Sequence, residues 1–302
     1  MIGFNYLGTM GQLGNQMFQY ASLRGIAKNR GFEFCIPYHQ NVFDDGIGNK
    51  LRIELFDPFV MKNVTQLNIQ TIDQDRPVTT EREFSFNEDI FNNCPDWTSL
   101  QGYFQTEKYF KNVEDIIRED FTFNDDYLKP CQEYINSIGG RDENIFLHVR
   151  RGSPNLTGRR GEKWSYQMIQ EYHPLCKKDY YLKALEHFPD KKVIVVSDTI
   201  DWCKEQDWLQ DDRFLFSDSS YETFGDGASV PYIDLCLMSL CGGAIIANSS
   251  LSWWGAWLQN DTGKVIAPDP WFGSAYAHYD MKDMIPDRWV KVYNDPTPIN
   301  IE

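Results

Sequence analysis

The residues best suited to chemistry are His148-Val149-Arg150-Arg151-Gly152. They close an apolar run over 144–149 that reads as a β-strand. Side chains alternate along a strand, so His148 and Arg150 share one face, and Arg151 falls where the strand meets its loop. A guanidinium offers a phosphate two parallel hydrogen bonds and stays charged at working pH. Two of them at a strand's carboxyl end stand where open α/β sheets bind ligands. The plainer reading is a surface arginine pair beside a core histidine.

Three other motifs stand at comparable places. Val195-Val196-Ser197-Asp198 ends an apolar run in a hydroxyl and a carboxylate, which can accept hydrogen bonds from a guanine edge or a ribose. Its plainer reading is a helix N-cap by Asp198. Asn248-Ser249-Ser250 follows Ile245-Ile246-Ala247 and opens the helical Leu251-Ser252-Trp253-Trp254-Gly255-Ala256-Trp257. Hydroxyls beside free helix N–H groups attract phosphate, whereas simple capping with the tryptophans in the core is the duller alternative. Gly8-Thr9-Met10-Gly11-Gln12-Leu13-Gly14-Asn15-Gln16 lets backbone approach a ligand at the start of a helix. It has neither the Lys-Ser/Thr of a P-loop nor dinucleotide spacing, so alone it is also a tight turn.

The elements that must position these residues follow from the hydrophobic pattern. Residues 2–7 are an apolar run, 16–29 have helical periodicity, Gly31 ends that helix, and 32–36 form the next strand. Residues 40–95 are irregular and polar. A second alternation begins near 144: strand 144–149, helix 179–188, strand 192–197, helix 201–209, strand 214–216, helix 233–241, strand 244–247, helix 251–258 and a last strand 264–267. Such alternation predicts parallel sheets covered by helices. The expected class is α/β, with two Rossmann-like lobes facing a central cleft.

Bulk properties narrow the function. A chain of 302 residues suits two domains. A net charge of −15 disfavours nucleic-acid binding, yet local arginines can still hold an anion because bulk charge is screened over about 8–10 Å. Seven cysteines without CxxC spacing suggest neither zinc nor a disulfide framework, so reduced and mostly buried thiols are expected. Asp44-Asp45 and Asp211-Asp212 lie in polar stretches and read as solvated surface. No apolar stretch resembles a leader or a membrane span. A cytoplasmic protein is expected, with peripheral membrane contact left open.

Several longer motifs carry a resemblance: GQLGNQMFQYA at 11–21, GYFQTEKYF at 102–110, HVRRG at 148–152, DYYLKA at 179–184, SDTIDWCKE at 197–205, DLCLMSLC at 234–241, IIANSSLSWWGAWL at 245–258 and VIAP at 265–268. In order, from residue 5 to 272, they resemble glycosyltransferase family 11, the α-1,2-fucosyltransferases, in its bacterial-type soluble form. The resemblance implies a GT-B fold, with residues 1–140 on the acceptor side and 141–302 on the donor side, the C-terminal segment being able to return to the first lobe. It also implies a GDP-fucose donor, a galactose-terminated oligosaccharide acceptor, and inverting transfer with neither metal nor cofactor. On that likeness Arg150 and Arg151 contact the donor diphosphate. Asn15 and Gln16 line the cleft, Gly14 and Gln16 belong to the donor-binding set, and Ser197, Asp198, Asn248, Ser249 and Ser250 hold the nucleotide. Ser252 and Trp253 complete the expected donor set, and Arg150, His148 and Asn15 are the expected catalytic residues.

There are two departures. The first glycine loop reads Thr9-Met10-Gly11-Gln12 where Gly-Gly is common. The family pattern continues His-x-Arg-Arg-Gly-Asp-Tyr, whereas this chain reads Gly152-Ser153-Pro154, so a carboxylate is missing. Residues 154–172, basic and aromatic, read as a flap over the donor. The alternatives are fucosyl transfer to another glycan or a protein hydroxyl, and a donor- or glycan-binding protein without turnover.

Overall fold

The structure is a computed structural model that describes residues 1–44, 50–152, 156–157, 163–164, 169–217, 231–259 and 263–300. Ser153 and most of the expected flap lie outside the described residues. The chain divides into two compact units, Met1–Asn124 with Tyr279–Pro286, and Asp125–His278 with Asp287–Glu302. The boundary thus falls ahead of residue 140, because the helix Asp125–Ser137 packs with the helix Tyr232–Leu240 of the second unit.

In chain order the strands are β1 Ile2–Gly3, β2 Phe34–Cys35, β3 Phe43–Asp44, β4 Lys50–Leu51, β5 Val78–Thr80 and β6 Thr98–Gln101, all in the first unit. The second unit holds β7 Asn144–Val149, β8 Leu156–Thr157, β9 Lys163–Trp164, β10 Lys192–Ser197, β11 Phe214–Phe216, β12 Gly243–Ile245, β13 Lys264–Asp269 and β14 Val290–Tyr293. β3 with β4, and β8 with β9, form small antiparallel pairs.

The first unit is a parallel sheet of order β2-β1-β6-β5. Its helix Leu13–Arg30 is buried on nearly every side, so its apolar residues need no single stripe. Gly31 ends it in the left-handed region at φ 68°, a conformation in which a side chain is strained. Gly25 lets the helix touch the 109–110 backbone; a Cβ there would lie 1.9 Å from the Tyr109 carbonyl. Glu81 follows β5. Its Oε2 accepts the Tyr103 N–H at 2.9 Å and the Phe104 N–H at 2.7 Å, while its Oε1 is buried without a hydrogen bond. Burial pushes its pKa up to about 7, against those two bonds.

The second unit is a six-stranded parallel sheet of order β11-β10-β7-β12-β13-β14. β7 is buried at every position, as expected of a central strand covered on both faces. One face packs Ile145, Leu147, Val149, Val193 and Val195 against Tyr180, Tyr181 and Leu185 of the helix Lys178–Leu185. Those tyrosines bury their hydroxyls on backbone carbonyls: Tyr181 donates to His148 O at 3.1 Å, and Tyr180 to Ile246 O, just past β12, at 2.6 Å. By alternation Phe146, His148 and Val196 belong to the other face.

β7, β10 and β11 occupy the expected residues, and the helices expected over 233–241 and 251–258 shift by one residue; the first helix begins earlier, at Leu13, while those expected over 179–188 and 201–209 stop early, at Leu185 and Lys204. The strand expected to be last is followed by β14, which pairs in parallel with β13. Six cysteines are buried, Cys176 is partly buried, and all seven are free thiols.

Candidate active site

Strand register assembles the site. β7 pairs with β10 so that His148 lies beside Val196 and Val149 beside Ser197. One step further, just past the two strand ends, Arg150 and Asp198 emerge side by side. β7 also pairs with β12, Leu147 beside Ile245, and continuing that register brings Asn248 level with Arg150. Three adjacent strands of one sheet therefore deliver Asp198, Arg150 and Asn248 at their carboxyl ends, where ligands bind to this class of sheet.

Asp198 does not cap the helix Ile200–Lys204; Ser197 Oγ accepts the Thr199 N–H instead, at 3.0 Å. The Asp198 carboxylate crosses to the neighbouring strand end. It accepts the Arg151 N–H at 3.0 Å and the Gly152 N–H at 2.9 Å, and its Oδ2 stands 3.1 Å from Arg150 Nε. Gly152 has φ 72°, the left-handed turn that aims its N–H at the carboxylate. The Arg150 and Asp198 side chains stay 37% and 31% exposed, so a ligand can reach the pair. A carboxylate has about four lone pairs, and some remain for a ligand.

His148 is buried beneath this turn, and its Nδ1 has no partner. Burial lowers its pKa to about 4; Asp198 opposes that shift and Arg150 reinforces it. The imidazole is therefore neutral at pH 7. The Arg151 guanidinium lies 3.8 Å from the centroid of the Trp202 ring, a cation–π contact that orients it.

The Asn248 amide is used within the protein. Its Nδ2 donates to Pro174 O at 2.6 Å and Trp271 O at 3.3 Å, and its Oδ1 faces Cys176 Sγ at 3.8 Å. Ser249 is the N-cap of the helix Ser250–Trp257, without a side-chain cap bond, and Ser250 is partly buried. Ser252 is 0% exposed with its hydroxyl on Ala247 O and Ser249 O, and Trp253 is 1% exposed between Trp254 and Trp289. Such burial leaves neither side chain a surface for a ligand. Their side chains pack the helix.

Gly14, Asn15 and Gln16 belong to the first unit, in the opening turn of the helix Leu13–Arg30. Gln16 is 1% exposed and braces the loop: it donates to Gly11 O and Arg52 O and accepts the Glu54 N–H. Its side chain is a strut rather than a cleft-lining group. Asn15 Oδ1 accepts Gln105 Nε2 at 2.7 Å. Gln105 sits in the 102–110 motif, yet its type and spacing gave it no role. Trp202 had no role in the sequence reading either, since only tertiary contact brings it to Arg151. Among the described residues no group of three His, Cys, Asp or Glu could hold a metal, and no helix is long and apolar enough to cross a membrane. Asp211 Oδ1 accepts the Arg213 N–H, so it caps a turn, whereas Asp45 lies outside the described residues.

Two Rossmann-like units, with arginines at the carboxyl end of the second sheet, define an α/β protein of the GT-B glycosyltransferase class. A GT-B-type structure, POFUT1 in complex with GDP, is similar with a TM-score of 0.50 at 11% identity, covering 88% of this chain and 96% of that one. The chain belongs to glycosyl transferase family 11, whose family model matches residues 2–293. Among relatives, an alpha-1,2-colitosyltransferase of Escherichia coli is 27% identical, over 93% of this chain and 96% of the relative. Galactoside alpha-(1,2)-fucosyltransferase 1 of Bos taurus is 22% identical over 82% of this chain and 64% of its own.

Proposed function

We propose that this glycosyltransferase moves L-fucose from GDP-β-L-fucose to the 2-hydroxyl of a galactoside, with inversion and without a metal or cofactor, in the cytoplasm. The observation that carries the reading is the Arg150 guanidinium, held by Asp198 yet open at the carboxyl end of β7. As the bond from C1 to the phosphate oxygen breaks, negative charge grows on the β-phosphate. Arg150 donates to it, and that bond strengthens on the way to the transition state. Arg151, fixed by Trp202, supplies a second cation that holds the diphosphate of the bound donor. Attack from the face opposite the diphosphate turns the β donor into an α product. The galactoside reading draws on the bovine relative.

A second donor sugar is favoured by the relative that transfers colitose, 27% identical across 93% of this chain. Colitose lacks one hydroxyl of fucose, so the two donors share the leaving group and differ at the sugar. The deciding experiment gives the protein GDP-fucose and GDP-colitose, separately and in competition, with a panel of β-galactosides. Mass spectrometry and linkage analysis then identify the product. An α-1,2-fucosyl galactoside as the main product is expected; transfer of colitose alone, or to a different hydroxyl, replaces the reading.

A further inference from the structure

A second histidine is tied through its neighbour Pro174 to Asn248, which follows the strand paired with β7. His173 precedes the helix Lys178–Leu185, and its backbone is held on both sides. Its N–H donates to Ile169 O at 2.8 Å, and the carbonyl of Pro174 accepts Asn248 Nδ2 at 2.6 Å. The adjoining segment is stitched to the facing 271–276 stretch by Gly273 N to Tyr172 O at 3.0 Å and Ala275 N to Glu171 O at 2.9 Å. Only a glycine permits this approach, for a Cβ at position 273 would lie 2.3 Å from Glu171 O.

The ring is oriented by packing. It meets Phe272 edge to face at 5.4 Å and Tyr276 at 6.1 Å. Neither ring nitrogen has a hydrogen-bond partner among the described residues, and neither is among the sealed-off polar atoms of the core. The imidazole is therefore fixed, reachable and unspent.

We propose that His173 takes the proton of the acceptor hydroxyl during transfer, an inference that rests on the transferase reading above. The acceptor oxygen forms its bond to C1 of the donor sugar. The bond from C1 to the β-phosphate oxygen breaks, and its electron pair leaves with the diphosphate. The hydroxyl proton passes to a His173 ring nitrogen and then to water.

The electrostatics support this timing. Burial, and then the Arg150 cation, lower the His173 pKa to about 4, so the free protein presents a neutral ring able to accept a proton. Arg150 is itself paired with Asp198. The other ionisable neighbours are the Tyr172 and Tyr276 phenols, the exposed Glu171 on the same loop, and the buried neutral His148 under Arg150. A diphosphate on Arg150 cancels the cation that opposes protonation. Donor binding thereby raises the basicity of His173 when the proton must be taken, toward the range where a general base is efficient.

Two measurements on the full chain test this. NMR titration of the His173 ring, with and without GDP, is expected to show its pKa rise by about one unit or more when GDP binds. An unchanged pKa overturns the coupling to the diphosphate, and the proposal with it. Kinetics of His173→Gln, compared at equal GDP affinity, are expected to show kcat lowered about 10²–10⁴-fold and the acid limb of the kcat–pH profile removed. Retained kcat in a variant that still binds GDP also overturns it. Should the native protein transfer no sugar to any acceptor, the transferase reading fails first, a result distinct from an active native protein matched by its variant.

Discussion

Asp198 Oδ2 stands 3.1 Å from Arg150 Nε, and the same carboxylate receives the N–H groups of the next two residues, Arg151 and Gly152. One side chain just past the end of β10 thus sets both the direction of the Arg150 guanidinium and the turn that follows it. Arg150→Ala is expected to lower kcat about 10²–10³-fold, the usual effect of removing one preorganised donor, with a smaller change in donor KM. Arg150→Lys should rescue poorly, because a point charge does not reproduce the fork. Asp198→Asn removes the charge that orients Arg150 and one of the two acceptor oxygens, so kcat should fall about 10-fold or more in a folded protein. Steady-state kinetics beside thermal melts separate these effects from unfolding; normal turnover in a folded Arg150→Ala protein removes Arg150 from the reaction.

Arg151 depends on Trp202 in another way. Cation–π contacts are worth roughly 0.5–2 kcal/mol, and this one lies at 3.8 Å. Trp202→Leu should therefore raise donor KM several-fold while leaving kcat at saturating donor nearly unchanged. A fall in kcat with constant KM would instead place Arg151 in the transition state.

Leaving-group stabilisation by arginines predicts full activity in excess EDTA. It also predicts that GDP protects the fold: a ligand at about 100 times its Kd stabilises by about 2.7 kcal/mol. Differential scanning fluorimetry should show a rise in Tm with GDP and none with UDP at the same concentration. Loss of rate in EDTA that Mn²⁺ restores would contradict the arginine site, and equal shifts with both nucleotides would contradict guanine selectivity.

Glu81 predicts a pH dependence of stability. Its carboxyl titrates near 7 in the folded state, against 4.5 ordinarily. Between those values the unfolded chain binds fewer protons, so stability falls as pH rises through this window. The cost is absent below about pH 4.5 and complete above about pH 7, at roughly 1–3 kcal/mol. Glu81→Gln keeps an oxygen for the Tyr103 and Phe104 N–H groups and carries no charge. Its Tm should exceed that of the native protein at pH 8 and match it at pH 5. Denaturation at the two pH values checks this, and an equal Tm difference at both would show that the carboxylate charge is not the cause.

The central strands were legible because burial on both faces makes them continuous apolar runs. β7 and β10 needed no tertiary information to be bounded by residue. β14 was not legible: Val290–Tyr293 alternates between half-buried and exposed positions at the sheet's edge, in a stretch too short to stand out. The helix Asp125–Ser137 carries an internal proline, a residue that argues against a helix in sequence although this one falls in its second turn. In the site, the arginines announced themselves by type. What Asp198 does was not legible, because its contacts exist only through the pairing of Val149 with Ser197. Trp253 and Ser252 show the opposite case, where residues in a functional motif are spent on packing.

Asn248 holds Pro174 and Trp271 through one amide, and so joins three stretches of chain that are far apart in sequence. Alanine there would release two carbonyls at once, and Pro174 follows His173 directly. A scan of the 248–250 motif would then report lost activity at Asn248 through these two carbonyls. Slower turnover at this position is a measure of alignment, and comparing Asn248→Ala with Asn248→Asp, which keeps the shape but loses both amide N–H donors, reads how far that alignment depends on them.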